Sequence, residues 1–276
     1  MKVEDLFNEK DFFLIDIRGT IMKSLESGHV FDDAKELIRF LREKGKRFVL
    51  LTNAERVSSR YLAYLATRES LEIRADEIIN PTKAAVWLLR KKLEGIKRIY
   101  LIGEQGHVED LSAFDDIILT RVPPVDVVFI GTNRFLTYKE LIDVARIINK
   151  YNPIVMVLGT EEALEMDGPY GDGIYLFAGA FGKMLESALG RKFIFVGKPN
   201  NFIFDYAMEL LGAKKERTLM IGDRIETDAI GASEYGIDAL IVVRGKPKKV
   251  KTRFKTRIFV TKSLRVSEEI EEIRLD

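Results

Sequence analysis

Four short apolar runs in this chain each stop at one hydrophilic residue. Phe-Phe-Leu-Ile at 12–15 leads to Asp16, and Phe-Val-Leu-Leu at 48–51 leads to Thr52 and Asn53. Phe-Ile-Phe-Val at 193–196 leads to Lys198, and Thr-Leu-Met-Ile at 218–221 leads to Asp223. Apolar runs this short, bounded by turn residues, read as buried strands. Strands that are apolar on both faces belong to parallel sheets covered by helices. In such sheets the residues just past the carboxyl ends of the strands meet in one crevice. If the four runs are neighbours, a carboxylate, a hydroxyl, an ammonium and a second carboxylate converge there.

The rest of the chain supports a parallel sheet, because strand and helix patterns alternate throughout. Helices are expected over 31–44, 57–69, 81–94, 137–149, 200–212, 226–236 and 263–273. Further strands are expected over 97–102, 126–130, 153–158, 238–243 and 257–260. Pro81 suits a first helical position and Gly45 a helix end. A second α/β set lies between the second and third strand-tip motifs, which marks it as an insertion. The expected fold is α/β, a Rossmann-like parallel-sheet core with an inserted α/β unit. The core occupies residues 1–77 and 191–276, and the insertion residues 78–190.

Two carboxylates on adjacent strand tips repel unless a cation lies between them, so Asp16 and Asp223 suit an oxygen-ligated ion such as Mg²⁺. Asp228, five residues beyond Asp223, either joins that site or caps the helix that follows. The Lys198 ammonium and the Thr52 hydroxyl suit a phosphoryl group.

Together these residues resemble the haloacid dehalogenase superfamily of aspartate-nucleophile phosphatases. The resemblance is to its NagD-like, p-nitrophenyl phosphatase-like subgroup, which carries a large α/β cap. It rests on Gly-Asp-Arg-Ile-Glu-Thr-Asp at 222–228, Val-Gly-Lys-Pro at 196–199, and the cap-like Gly-Thr-Asn-Arg-Phe-Leu-Thr-Tyr at 131–138. It implies that Asp16 attacks phosphorus and forms an aspartyl-phosphate. It also implies that Mg²⁺ is held by Asp16, the backbone carbonyl of Arg18, Asp223 and Asp228. Thr52 and the Asn53 backbone N–H would bind phosphoryl oxygens, with Lys198 neutralising their charge. The implied substrate is a small phosphorylated metabolite, and a homodimer is an assembly open to such chains.

Arg18 departs from the family pattern, which has an aspartate there to protonate the leaving alkoxide and later activate water. A guanidinium stays protonated at any working pH and takes neither role. Positioned acid–base catalysis is worth about 10²–10⁴-fold, so slow turnover is expected rather than none. Leaving groups that need no proton, such as those of acyl phosphates, should suffer least. Arg18 has three open readings: a clamp on substrate phosphate, a plug paired with Asp16 and Asp223, or an outward-facing side chain. The expected activity is a Mg²⁺-dependent phosphatase of small esters or anhydrides; the alternative is an impaired relative that binds a phosphorylated ligand or partner. The insertion departs too, with Asn133 where an aspartate is common and Gly-Thr-Glu-Glu at 159–162. Glu161 and Asp172 are conceivable replacement acids from the insertion, with a solvated loop carboxylate the favoured reading of each.

Composition narrows the partners. The 276 residues carry a net charge of only +1, which gives no global field toward nucleic acid or membrane. Residues 246–257 hold seven basic residues and no acidic one, but read as a solvated loop. There is no cysteine, and no apolar run of membrane-spanning length, so a cytoplasmic protein is expected. His29 and His107, the only histidines, read as structural.

Overall fold

The run Phe12–Ile15 forms an inner strand of a seven-stranded sheet. The computed structural model describes residues 1–95, 97–166, 171–245 and 253–273. The sheet order is Glu271–Glu272, Ile258–Thr261, Asp238–Val242, Thr218–Gly222, Phe12–Ile15, Arg47–Leu51, Ile78–Ile79. All pairings are parallel except that of the edge strand Glu271–Glu272. Phe13, Leu14 and Ile15 are fully buried, which explains why the run reads as continuously apolar.

The chain divides into two compact units. The first comprises Met1–Thr52, Arg60–Ile79 and Lys198–Asp276; the second comprises Asn53–Ser59 and Asn80–Gly197. The boundaries therefore fall at 80 and 198 rather than at 78 and 191, and a short connector after Thr52 joins the second unit.

The second unit has its own five-stranded parallel sheet, ordered Ile194–Phe195, Ile154–Val157, Val127–Ile130, Lys97–Ile102, Ile117–Leu119. Ala163–Met166 and Gly173–Leu176 form a separate antiparallel hairpin. Tyr100, Val128, Ile130, Val144, Ile148 and Val157 pack into its core. Helix Pro81–Arg90 starts as its sequence implies, with Pro81 inside and the Asn80 side chain accepting from Lys83 N at 3.1 Å.

Three expectations need correction. Ile194–Phe195 is not a strand of the first sheet, because it pairs with Met156 and Val157 in the second unit. No helix forms over 263–273 among the described residues. There, backbone groups pair with the amino terminus instead: Val3 N donates to Glu268 O at 2.9 Å, Glu4 N to Val266 O at 3.0 Å, and Ile270 N to Met1 O at 3.0 Å. Those tertiary bonds override a weak helical preference. The helix expected over 226–236 is divided into a wide π-turn, Ile225–Ala229, and a short α-helix, Ile230–Tyr235. Such turns occur often at functional sites.

Candidate active site

The register of the first sheet assembles the site. Ile15 pairs with Ile221 on one side and Leu50 on the other, and Asp16 N extends the ladder to Ile221 O at 2.8 Å. Asp16 is thus one residue past the pairing, with Thr52 and Asp223 each two residues past it on the flanking strands. The wide turn after Asp223 brings in Asp228. Carboxylate oxygens of Asp16, Asp223 and Asp228 all lie within 4.8 Å of one another.

Two glycines make this packing possible. A Cβ on Gly19, whose φ is +86°, would fall 2.1 Å from Asp223 Oδ2. One on Gly222 would fall 2.2 Å from Asp228 Oδ2. Both carboxylates therefore rest against bare backbone, a close approach that only glycine allows.

Lys198 supplies the central positive charge, although it arrives from a turn rather than from a tip of this sheet. Its side chain is 1% exposed, and Nζ donates to Asp16 Oδ1 at 2.6 Å and to Leu51 O at 2.8 Å. Nζ also lies 2.8 Å from Asp228 Oδ1. Burial alone would lower its pKa, but Asp16 and Asp228 outweigh that and push it up. The ammonium stays charged.

One ammonium does not balance three carboxylates. Burial pushes Asp16 up to about 6; Lys198 opposes the rise, Asp228 adds to it, and Arg18 weakly opposes it. Burial likewise pushes Asp223 up to about 7, helped by Asp16 and Asp228 and opposed by Lys198 and Arg224. Asp223 Oδ1 is buried and receives no hydrogen bond. An all-oxygen cluster short of positive charge, with one orphaned carboxylate oxygen, fits a hard divalent cation such as Mg²⁺.

Asp228 is 1% exposed, accepts from Arg224 N at 3.1 Å, and so caps its turn as well as pairing with Lys198. Thr52 is buried, with its N–H bonded to Ile79 O at 3.0 Å. Arg18 is half-buried and forms no side-chain hydrogen bond or ion pair among the described residues; its charge still reaches Asp16. Asn53 belongs to the second unit, where its side-chain oxygen would meet a Cβ on Gly197 at 2.9 Å.

Of the other candidates, Asn133, Glu161, Asp172 and His107 lie in the second unit. Asn133 Oδ1 accepts from Phe135 N at 2.9 Å, a local turn contact. Glu161 is half-buried and Asp172 exposed. His107 is fully buried, 3.1 Å from Glu55, and His29, in the first unit, is a surface partner of Glu69. Of the basic segment, Lys246–Thr252 lie outside the described residues. Within the remainder, Lys255 pairs with Glu234 and Arg257 with Glu9 and Asp238.

Sequence reasoning missed Arg244 and Asp33. Arg244 donates to the carbonyls of Gly19 and Thr20, and pairs with the buried Asp33 at 2.9 Å. The signal was present: Arg244 closely follows the apolar strand Asp238–Val242, as Asp16 follows Phe12–Ile15.

Residues 13–115 match the family described as haloacid dehalogenase-like hydrolase, and residues 195–265 match a HAD-hydrolase-like family. Sugar-phosphatase AraL of Bacillus subtilis is 25% identical over 252 residues, covering 91% of this chain and 90% of its own. The phospholysine phosphohistidine inorganic pyrophosphate phosphatase of Xenopus laevis is 28% identical, covering 84% of this chain and 83% of its own. In fold, the chain is similar to the crystal structure of a 4-nitrophenylphosphatase from Thermotoga maritima. That match has a TM-score of 0.82 at 23% identity and covers 95% of this chain and 97% of the other.

Proposed function

We propose that the chain, a member of the haloacid dehalogenase superfamily, falls in its NagD-like, p-nitrophenyl phosphatase-like subgroup and is a phosphatase of small phosphorylated metabolites. One observation carries the reading. Carboxylate oxygens of Asp16, Asp223 and Asp228 crowd within 4.8 Å of one another, a buried ammonium pairs with only two of the three, and Asp223 Oδ1 has no donor. Relatives named as sugar, dihydroxyacetone and pyrophosphate phosphatases support the substrate class.

In this reading Asp16 is the nucleophile. Its free carboxylate oxygen attacks phosphorus, the bond to the leaving oxygen breaks, and the leaving group takes the electron pair. Lys198 holds Asp16 ionised and neutralises charge on the phosphoryl oxygens, while Thr52 binds those oxygens. Water then attacks the aspartyl-phosphate, which releases phosphate and restores the carboxylate. Asp16, the Arg18 carbonyl, Asp223 and Asp228 would hold Mg²⁺, which when bound offsets their repulsion and the charge of the transferring group.

Arg18 cannot exchange a proton, so leaving groups stable as anions are favoured, and the guanidinium serves as a clamp for substrate phosphate. The geometry does not favour a plugged site, because Arg18 forms no ion pair with Asp16 or Asp223 among the described residues. No described helix is long and apolar enough to cross a membrane. A cytoplasmic enzyme with no nucleic-acid partner, open to homodimer formation, completes the proposal.

The test is hydrolysis of p-nitrophenyl phosphate and acetyl phosphate with Mg²⁺ and with EDTA. Metal-dependent turnover that disappears in Asp16→Asn is the expected result. No turnover above the Asp16→Asn background on either substrate would turn the reading into a binding protein.

A further inference from the structure

The loop that follows Asp16 is held by an arginine that follows Asp238–Val242, the strand two places away in the sheet order. Residues 17–22 fold back on themselves: Gly19 N donates to Met22 O at 2.7 Å, and Ile21 N and Met22 N both donate to Ile17 O. The carbonyls of Gly19 and Thr20 are taken by Arg244, whose Nε lies 3.1 Å from Gly19 O and Nη2 2.9 Å from Thr20 O.

Arg244 is itself fixed. Its Nη1 and Nη2 pair with the two oxygens of Asp33 at 3.1 and 2.9 Å, and its guanidinium carbon stacks 3.6 Å from the Phe31 ring centre. Asp33 also accepts from Ser263 Oγ at 2.9 Å and Leu264 N at 2.8 Å. A planar fork meets a carboxylate and two successive carbonyls at once, which a lysine cannot do.

The gripped carbonyl belongs to the residue that touches Asp223. Gly19 backbone lies so near Asp223 Oδ2 that a Cβ would overlap it, and the residue before Gly19 is Arg18. The position of the Gly19 carbonyl therefore sets two things: how far the loop stands from Asp223, and how Arg18 enters the site.

Resting on the phosphatase reading above, we infer that Arg244, seated on Asp33 and Phe31, is a positioning residue for the site. It touches neither substrate nor ion. It holds the loop so that Asp223 and Arg18 keep their places. Groups that orient metal ligands from behind typically change metal affinity or activity by about 10–100-fold when removed.

The experiment compares wild type, Arg244→Met, Arg244→Lys and Asp33→Asn. Mg²⁺ is titrated into p-nitrophenyl phosphate turnover, and separately into the enzyme alone while its melting temperature is followed. Arg244→Met is expected to raise the half-saturating Mg²⁺ concentration about 10–100-fold and to lower kcat more than it changes KM. The Mg²⁺-induced rise in Tm shrinks in parallel. Arg244→Lys should resemble Arg244→Met rather than wild type, since a point charge does not replace the fork. If Arg244→Met does not fold, Asp33→Asn, which keeps the guanidinium but removes its charge partner, carries the same comparison. Variants that melt earlier yet keep wild-type Mg²⁺ half-saturation, kcat and Mg²⁺-induced shift would reduce Arg244 to a structural brace and overturn the inference alone. A wild type that neither turns over nor gains stability with Mg²⁺ overturns the phosphatase reading and the inference together.

Discussion

Lys198 Nζ lies 2.6 Å from Asp16 Oδ1, with the lysine 1% and the aspartate 10% exposed. The ammonium is thus the one buried cation in direct contact with the proposed nucleophile among the described residues. Lys198→Met is expected to leave Asp16 and Asp228 crowded without their counter-charge. Removing one partner of a buried pair costs about 3–5 kcal/mol. A denaturant melt should show that loss, and p-nitrophenyl phosphate turnover should fall to the Asp16→Asn level. A stable, active Lys198→Met enzyme would refute the role.

The acid cluster makes the metal effect depend on pH. Asp16 at about 6 and Asp223 at about 7 are both raised above the usual carboxylate range by burial. A raised acid contributes stability that is complete below its unfolded pKa, near 4, and is lost as pH rises through the folded value. The metal-free protein should therefore lose stability from these groups between about pH 4 and 7. Mg²⁺ restores it where the carboxylates are ionised, so its effect on Tm should be larger at pH 8 than at pH 5. An equal or larger effect at pH 5 would contradict this cluster as the binding site.

Arg18→Asp places a group that exchanges protons near Asp16. Turnover of an alkyl ester such as glycerol phosphate is expected to rise, within the 10²–10⁴-fold range typical of general acid–base catalysis. Turnover of p-nitrophenyl phosphate, whose leaving group needs no proton, should change far less. Parallel changes on both substrates would show that Arg18 does not limit the leaving-group step.

Gly19→Ala tests the bare-backbone contact. The substitution puts a methyl into Asp223 at a φ of +86°, which is costly for a residue with a Cβ. The left-handed conformation alone costs about 1–2 kcal/mol. Displacing Asp223 should also weaken the Mg²⁺-induced thermal shift. A variant with a normal shift and a normal melt would mean that the loop relaxes freely.

Away from the site, Lys10 is 2% exposed and lies 2.7 Å from Asp238 Oδ2. Burial would raise Asp238, but bonds from Lys10 and Arg257 prevail and lower it. A lowered acid contributes stability above its unfolded pKa and loses it as pH falls through the folded value. Asp238→Asn should lower Tm at pH 7 yet flatten the acid limb of the stability profile below about pH 4. An acid limb unchanged from wild type would assign that loss to other carboxylates.

The sequence carried the strand tips well because parallel buried strands are long enough in apolar residues to be seen and short enough not to pass for helices. Asp16, Thr52 and Asp223 were legible for that reason. Lys198 was found for a partly mistaken reason: its run, Ile194–Phe195, pairs in the other sheet, and no periodicity distinguishes one parallel sheet from another. The carboxyl-terminal segment was misread because its helix-like charge pattern says nothing of the bonds from Val3 and Glu4 that claim its carbonyls. Arg244 was overlooked because a cation after a strand looks like a surface residue until its partner, Asp33, is placed beside it.

The interleaved chain path also fixes the order in which a ribosome delivers the parts of this chain. Phe12–Ile15 emerges among the first residues, but one of its two neighbours, Thr218–Gly222, emerges only after the whole second unit. Asp16 is therefore made early, while Lys198, Asp223, Asp228 and Arg244 all arrive late. Pairings between such distant stretches are slow to form, because a long loop must close first. The strands of the second unit, all within residues 97–195, are made before Thr218–Gly222 emerges. During synthesis the proposed site can close only after the second unit is complete, while the strands Ile258–Thr261 and Glu271–Glu272 are still to come.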